Sequence, residues 1–148
     1  MSNAIGKLLC LLWLGCLLAV AGSAFAAGQE DEERVLYHIN DSAVAKMALG
    51  NIKNHLAATQ NKSRITVVAH GMGVDFLLDG AQDKNGNHYS IQLEELMAQG
   101  VDFRVCNNTL KGRNIDPKTV IQGARIVPSG VAELARLQAR EGYVYIKP

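Results

Sequence analysis

Apolar positions recur along the chain in two alternating rhythms, and the switch between them lays out the fold. "RVLYHIN" (Arg34–Asn40) is a short apolar, β-branched run and predicts a first strand. Asp41 or Ser42 can cap the helix that follows, where Val44, Met47, Ala48, Ile52 and Leu56 recur at helical spacing. A polar turn near "ATQNKS" ends that helix. "RITVVAH" (Arg64–His70) is nearly continuous in apolar residues, as a strand buried on both faces should be. "GMGVDFLLDGAQDKNGNHYS" opens on a glycine turn and carries a loop signal at Lys84-Asn85-Gly86-Asn87. Val74, Phe76, Leu77 and Leu78 are too apolar for free loop, so a short strand-like or helical excursion is expected there.

"SIQLEELMAQG" (Ser90–Gly100) predicts a short helix, capped by Ser90, closed by Gly100, with Ile91, Leu93, Leu96 and Met97 as its apolar contacts. "VDFRVC" (Val101–Cys106) is a third strand, and "NNTLKGRNI" begins a helical turn. Pro117 sits near a helix start, and Arg125–Val127 is a short strand. Ser129 caps a last helix with Val131, Leu134, Ala135 and Gln138 on one line and Gly142 at its end; "YVYIKP" closes the chain as a strand. Strands alternating with helices predict an α/β fold with a mostly parallel sheet and helices on both faces.

The N-terminus changes the cysteine count. One early cation, Lys7, precedes an apolar run from Leu8 to about Ala21, and small residues end in Ala24-Phe25-Ala26. This is the pattern of a cleaved secretory signal peptide, residues 1–27, with residues 28–148 left as one mature domain. A retained anchor fits less well, because the run is shorter than the roughly 20 residues a span needs. Lipidation at Cys16 fits less well too, since the chain stays apolar beyond it. A periplasmic location follows, with no membrane association after cleavage.

Removing Lys7 takes Lys+Arg from 15 to 14, against 14 Asp+Glu. A near-neutral chain without a basic stripe is not expected to bind nucleic acid. Of three cysteines only Cys106 remains, so no internal disulfide can form. Such a thiol is buried, paired between chains, or used. Cys106 stands where a buried strand gives way to a helical turn. Unpaired N–H groups there favour thiolate, Asn107 and Asn108 can shape the turn, and Lys111 and Arg113 lie within reach of it. A small core residue with an inert sulfur fits the same pattern.

The segment "GVDFRVCNNTLKGRNI" and the ending "VPSGVAELARLQAREGYVYIKP", with the order of elements, resemble the DsrE/DsrF-like family over about Arg34 to Pro148. The resemblance implies a central sheet of about five strands. It implies a homo-oligomer, trimer or hexamer, and a cysteine after the third strand that accepts sulfur as a persulfide. That position is Cys106, with sulfur donor and acceptor proteins as partners and no cofactor. The leader points to an exported branch of the family, away from the cytoplasmic sulfur relay. A non-catalytic oligomeric module with an inert Cys106 is the alternative.

The other candidates are histidines. "HGMG" (His70–Gly73) lacks both the third glycine of a dinucleotide fingerprint and a Walker lysine, so it predicts a tight turn and not a nucleotide site. His70 is placed near Cys106 as base or hydrogen-bond partner, and His38 ends the first strand toward the same edge. No short-range ligand pair joins His38, His70 and Cys106, so no metal is expected. His55 and His88 are expected at the surface, and Glu94 and Glu95 on a solvated helix face.

Overall fold

A computed structural model describes residues 32–148. The leader, Cys10, Cys16 and the expected cleavage point lie outside these residues. Strands β1 (Arg34–Ile39), β2 (Arg64–Ala69), β3 (Asp102–Cys106), β4 (Arg125–Val127) and β5 (Val144–Ile146) form one sheet in the order β4-β3-β2-β1-β5. Every pairing is parallel, so each connection must cross over a face. The crossovers are α1 (Ala45–Ala58), α2 (Tyr89–Ala98), α3 (Asn107–Gly112) and α4 (Gly130–Glu141). The five-stranded α/β sheet is the architecture expected from the sequence.

Alternation along each strand sorts the side chains into two cores. Val35, Tyr37, Ile39, Ile65, Val67, Ala69, Phe103 and Val105 face the cluster built with α1, α2 and Leu110 of α3. Leu36 and Val68 face the other way, onto Leu134 and Leu137 of α4 and Tyr143. Among the described residues, three helices thus share one face and α4 alone covers the other. The excursion after β2 is a 3-10 stretch, Gly71–Leu77, whose Val74, Phe76 and Leu77 are buried. It is seated by Gly73, where an added Cβ would overlap the Ile39 carbonyl.

Three expected contacts are corrected. Met47, Ile91 and Val131 are exposed by 53%, 66% and 64%. The stripe on α1 is Ala45, Ala48, Leu49, Ile52 and Leu56, and Met47 projects off it. On α2 the buried residues are Tyr89, Leu93 and Leu96. Ser90 lies within that helix, which begins at Tyr89 without a side-chain cap. On α4 the buried line is Gly130, Leu134 and Leu137, while Ala135 and Gln138 face outward. The apolar rhythm of α4 was obscured because Glu133 and Arg136 share the sheet-facing side.

An ionic cluster explains that side. Buried Arg104 on β3 donates to Asp102 at 2.5 Å and to Glu133 of α4. Arg125 of β4 also donates to Asp102, and Arg136 holds Glu133 at 2.9 Å. Arg136 and Arg104 together outweigh burial and hold the Glu133 carboxyl down at about 2. The cluster fastens the first turns of α4 over β3. Ser129 accepts the N–H of Ala132 at the helix start, and Gly142 ends the helix in the left-handed conformation, both as the sequence predicts.

Candidate functional site

Cys106 is the last residue of β3 and the N-cap of α3. The crossovers after β1, β2 and β3 run to one face, and β4 leads into α4 on the other. Connections from β3 and β4 therefore diverge at Cys106. In open parallel sheets ligands usually bind outside the carboxyl ends of the strands, the edge on which Cys106 lies.

Cys106 is 5% exposed. Burial raises its pKa. Opposing that are the N–H of Gly130, the hydroxyl and N–H of Thr109, and the N–H of Asn108, and the net effect holds the thiol below its ordinary value. Gly130 opens α4, so its N–H is one that the helix itself cannot satisfy, at the positive end of the dipole. The close approach depends on its lack of a side chain. A Cβ there would stand 3.1 Å from Cys106 Cβ, 3.1 Å from His70 Cβ and 3.6 Å from the sulfur. Thr109 Oγ1 also accepts the N–H of Gly71 at 3.0 Å, tying the turn after β2 to the turn after β3.

Beside the thiol lies a chain of rings. Ala69 is paired with Val105, so His70 and Cys106 stand side by side at the ends of neighbouring strands. His70 Nε2 is 2.7 Å from His38 Nε2, and His38 Nδ1 is 2.6 Å from the Tyr145 hydroxyl. The two imidazoles stack with centroids 4.7 Å apart. Burial, then the charge on His70, then Lys147 lowers His38 to about 4. Burial and then Lys147 lower His70 as well. Both rings are thereby pushed toward the neutral form.

The DsrE/DsrF-like family model matches residues 26–148. The chain belongs to this family. A solved protein of unknown function from Methanobacterium thermoautotrophicum, MTH1491, is 36% identical, with a TM-score of 0.68. The match covers 78% of this chain and 99% of that one. The ychN protein from E. coli shares 18% identity and the fold, with a TM-score of 0.62 and the same coverage of 78% and 99%. No match is found among the curated proteins.

In this DsrE/DsrF-like chain the expected site residues separate into two groups. Cys106, Asn108, His70 and His38 come together at one edge of the sheet. Lys111 and Arg113 do not serve the thiol. Lys111 is exposed, and Arg113 turns to Asp75 at 2.7 Å and to the Gly71 carbonyl at 3.0 Å. Asn107 is half-buried beside the cysteine, and its N–H is not among the groups acting on the sulfur. Thr109, Gly130 and Tyr145 were missed. Thr109 was legible as the polar residue three positions after a helix N-cap. Gly130 and Tyr145 reach the site only through the crossover of α4 and the pairing of β5.

His55 is a further correction. It is half-buried, 3.2 Å from the Tyr37 hydroxyl and 3.3 Å from Glu33, because the apolar α1 face draws Tyr37 beneath it. His88 is exposed, bonded to Gln82 at 2.9 Å. No group of three or more metal-ligating side chains assembles among the described residues. A cavity of about 760 Å³ lies elsewhere, lined by Ser42, Met47, Phe76, Gln82 and Tyr89 among others, and Cys106 takes no part in it.

Proposed function

We propose that Cys106 carries sulfane sulfur as a persulfide, taken from a donor persulfide and passed to an acceptor thiol. The observation that carries this reading is the close approach of Gly130 to Cys106 at the carboxyl end of β3, where N–H and hydroxyl groups of Gly130, Thr109 and Asn108 lower the thiol pKa. Such a setting supplies a thiolate, the form that attacks sulfur. Membership of the DsrE/DsrF-like family supports a sulfur-related role. Transfer needs no metal or organic cofactor: the thiolate attacks the outer sulfur of R–S–SH, the new S–S bond forms, and R–S⁻ leaves. The proposal includes export through the N-terminal leader, and assembly into a homo-oligomer. The latter is supported by Val144 and Tyr145 on an edge strand, exposed by 59% and 40%.

The near-complete burial of Cys106 favours a second reading, an oligomeric interaction module with an inert thiol. Intact-protein mass spectrometry separates the two. The protein is isolated without reductant, exposed to polysulfide, then treated with cyanide, beside a Cys106→Ser control. A cyanide-labile gain of sulfur that vanishes in the variant is expected. An unchanged mass with a slowly alkylated thiol would select the interaction module.

A further inference from the structure

The cavity remote from Cys106 is walled by the turns that follow β1 and β2, by the loop beyond the 3-10 stretch, and by Tyr89 at the start of α2. Those turns lie at the carboxyl ends of two strands, the side on which open parallel sheets usually bind ligands. Its volume of about 760 Å³ is in the range of small-molecule sites. Met47, exposed by 53% on the flank of α1, contributes apolar surface to it, as do Ala43, Phe76 and Ala81.

One side chain in this wall differs from its kind. Tyr89 is only 9% exposed, with its ring set edge-on to Phe76 at 5.9 Å and its N–H given to the Ala81 carbonyl at 3.0 Å. The chain has four tyrosines. Three hydroxyls are bonded: Tyr37 to His55 at 3.2 Å, Tyr143 to Thr66 at 3.3 Å and Tyr145 to His38 at 2.6 Å. The Tyr89 hydroxyl has no hydrogen-bond partner among the described residues. No fully enclosed polar side-chain atom among them lacks a partner, so this oxygen keeps an opening, and the opening is the cavity that Tyr89 lines. Burial, then the charge on Asp83, raises its pKa, against a smaller opposite effect of Lys46. The hydroxyl therefore keeps its proton at neutral pH and stands as an unused donor.

The charges around the cavity balance. Lys46, Lys84 and Arg113 stand against Asp41, Asp75 and Asp83. Each carboxylate is engaged: Asp83 holds Lys46 at 2.5 Å, Asp75 holds Arg113 at 2.7 Å, and Asp41 accepts the N–H of Ala43 at 2.9 Å. Lys84 has no ion-pair partner among the described residues, but it is exposed, where water and salt screen it. A charged ligand would lose hydration here without a buried counter-charge to replace it. A neutral one with a hydrogen-bond acceptor meets what the wall offers.

We propose that this cavity binds a small neutral molecule with a flat apolar body and a carbonyl-type oxygen, which accepts the Tyr89 O–H. The body lies against Met47 and Phe76. The site is separate from Cys106, so it stands apart from the persulfide reading.

The test titrates the ¹⁵N-labelled full-length protein with three molecules of one shape. These are acetophenone, α-methylstyrene, which lacks the acceptor, and benzoate, which carries a charge. Amide NMR shifts are expected at Ser42–Met47 and Ala81–Tyr89 with millimolar acetophenone. Acetophenone is expected to bind about tenfold more tightly than either of the others, the worth of about one net hydrogen bond. Tyr89→Phe should weaken acetophenone to the level of α-methylstyrene and leave α-methylstyrene unchanged or tighter. The free hydroxyl has no partner to lose, so Tyr89→Phe is expected to unfold in urea at the wild-type midpoint or above. A variant that is less stable would show the hydroxyl bonded within the protein and would overturn the proposal. Absence of binding, equal binding of the three molecules, benzoate binding tightest, or shifts centred away from the cavity would each overturn it too.

Discussion

Replacing Thr109 by valine keeps the shape and β-branching of the side chain and removes one oxygen. That oxygen does two things: it helps lower the Cys106 pKa and accepts the N–H of Gly71 at 3.0 Å. Its loss leaves the Gly71 N–H without that partner, a penalty of about 1–3 kcal/mol for a buried group. Thr109 is half-buried, so the lower half of that range is expected, about 1–1.5 kcal/mol in urea unfolding at neutral pH. The second effect is on the thiol. With one lowering group gone, the Cys106 pKa moves up toward its ordinary value. The sign follows from linkage. A thiol held low in the folded state contributes stability that is complete above its unfolded pKa and is lost as pH falls through the folded one. The gap between wild type and Thr109→Val is therefore expected to widen as pH rises through that window. The assay is the pH profile of iodoacetamide alkylation, run beside urea unfolding at each pH. Thr109→Val shifts the profile to higher pH with an unchanged alkaline plateau, and Thr109→Ser restores it. A profile identical to wild type, in a variant that has lost stability, would refute the electrostatic role of the hydroxyl and leave Thr109 as a turn fastener.

Other outcomes follow from the same contacts. Gly73→Ala drives a Cβ into the Ile39 carbonyl, a backbone atom that cannot swing away; a loss of about 3 kcal/mol or more is expected by urea or thermal unfolding. Glu133→Gln removes one carboxylate from buried Arg104 but leaves Asp102, so a loss of about 1.5–3 kcal/mol is expected, the range for a hydrogen bond to a charged group. Because Glu133 is held at about 2, its contribution is present above the ordinary carboxylate value and disappears as pH falls toward 2; acid unfolding of the Gln variant should lack that component. His38 has the opposite charge logic and the same slope. Held at about 4, it binds its proton less readily than the unfolded chain does, so stability should fall as pH drops from the ordinary histidine value toward 4, and a proton NMR titration of His38 should place its midpoint far below that of an exposed histidine.

What was readable in the sequence was whatever depends on near neighbours. β2 announced itself through "RITVVA", because a strand buried on both faces needs no polar alternation. Ser129 and Gly142 marked the ends of α4, because capping is a matter of a few adjacent backbone groups. Cys106 at the junction of β3 and α3 was legible for the same reason. Two kinds of information were not. Where a charged pair is buried, as with Arg104 and Glu133, the apolar period is broken and the wrong helix face looks inward. Where a donor arrives from far along the chain, no local pattern carries it. Lys111 and Arg113 were assigned to the thiol because they lie close in sequence, yet the groups that act on it include a glycine N–H from another crossover. Asp75 takes Arg113 away from the thiol.

Among the described residues α4 is alone on its face of the sheet, and it follows β3 in the chain. The N–H of Gly130 and the hydroxyl of Tyr145 follow β3 in the chain and are synthesised after it. A growing or unfolded chain therefore carries an ordinary, unactivated thiol at position 106. Its special surroundings come into being only when α4 docks and the Arg104 cluster closes. The lowered thiol pKa thus depends on the docking of α4, and a chain truncated before Ser129 would hold the cysteine without the Gly130 N–H.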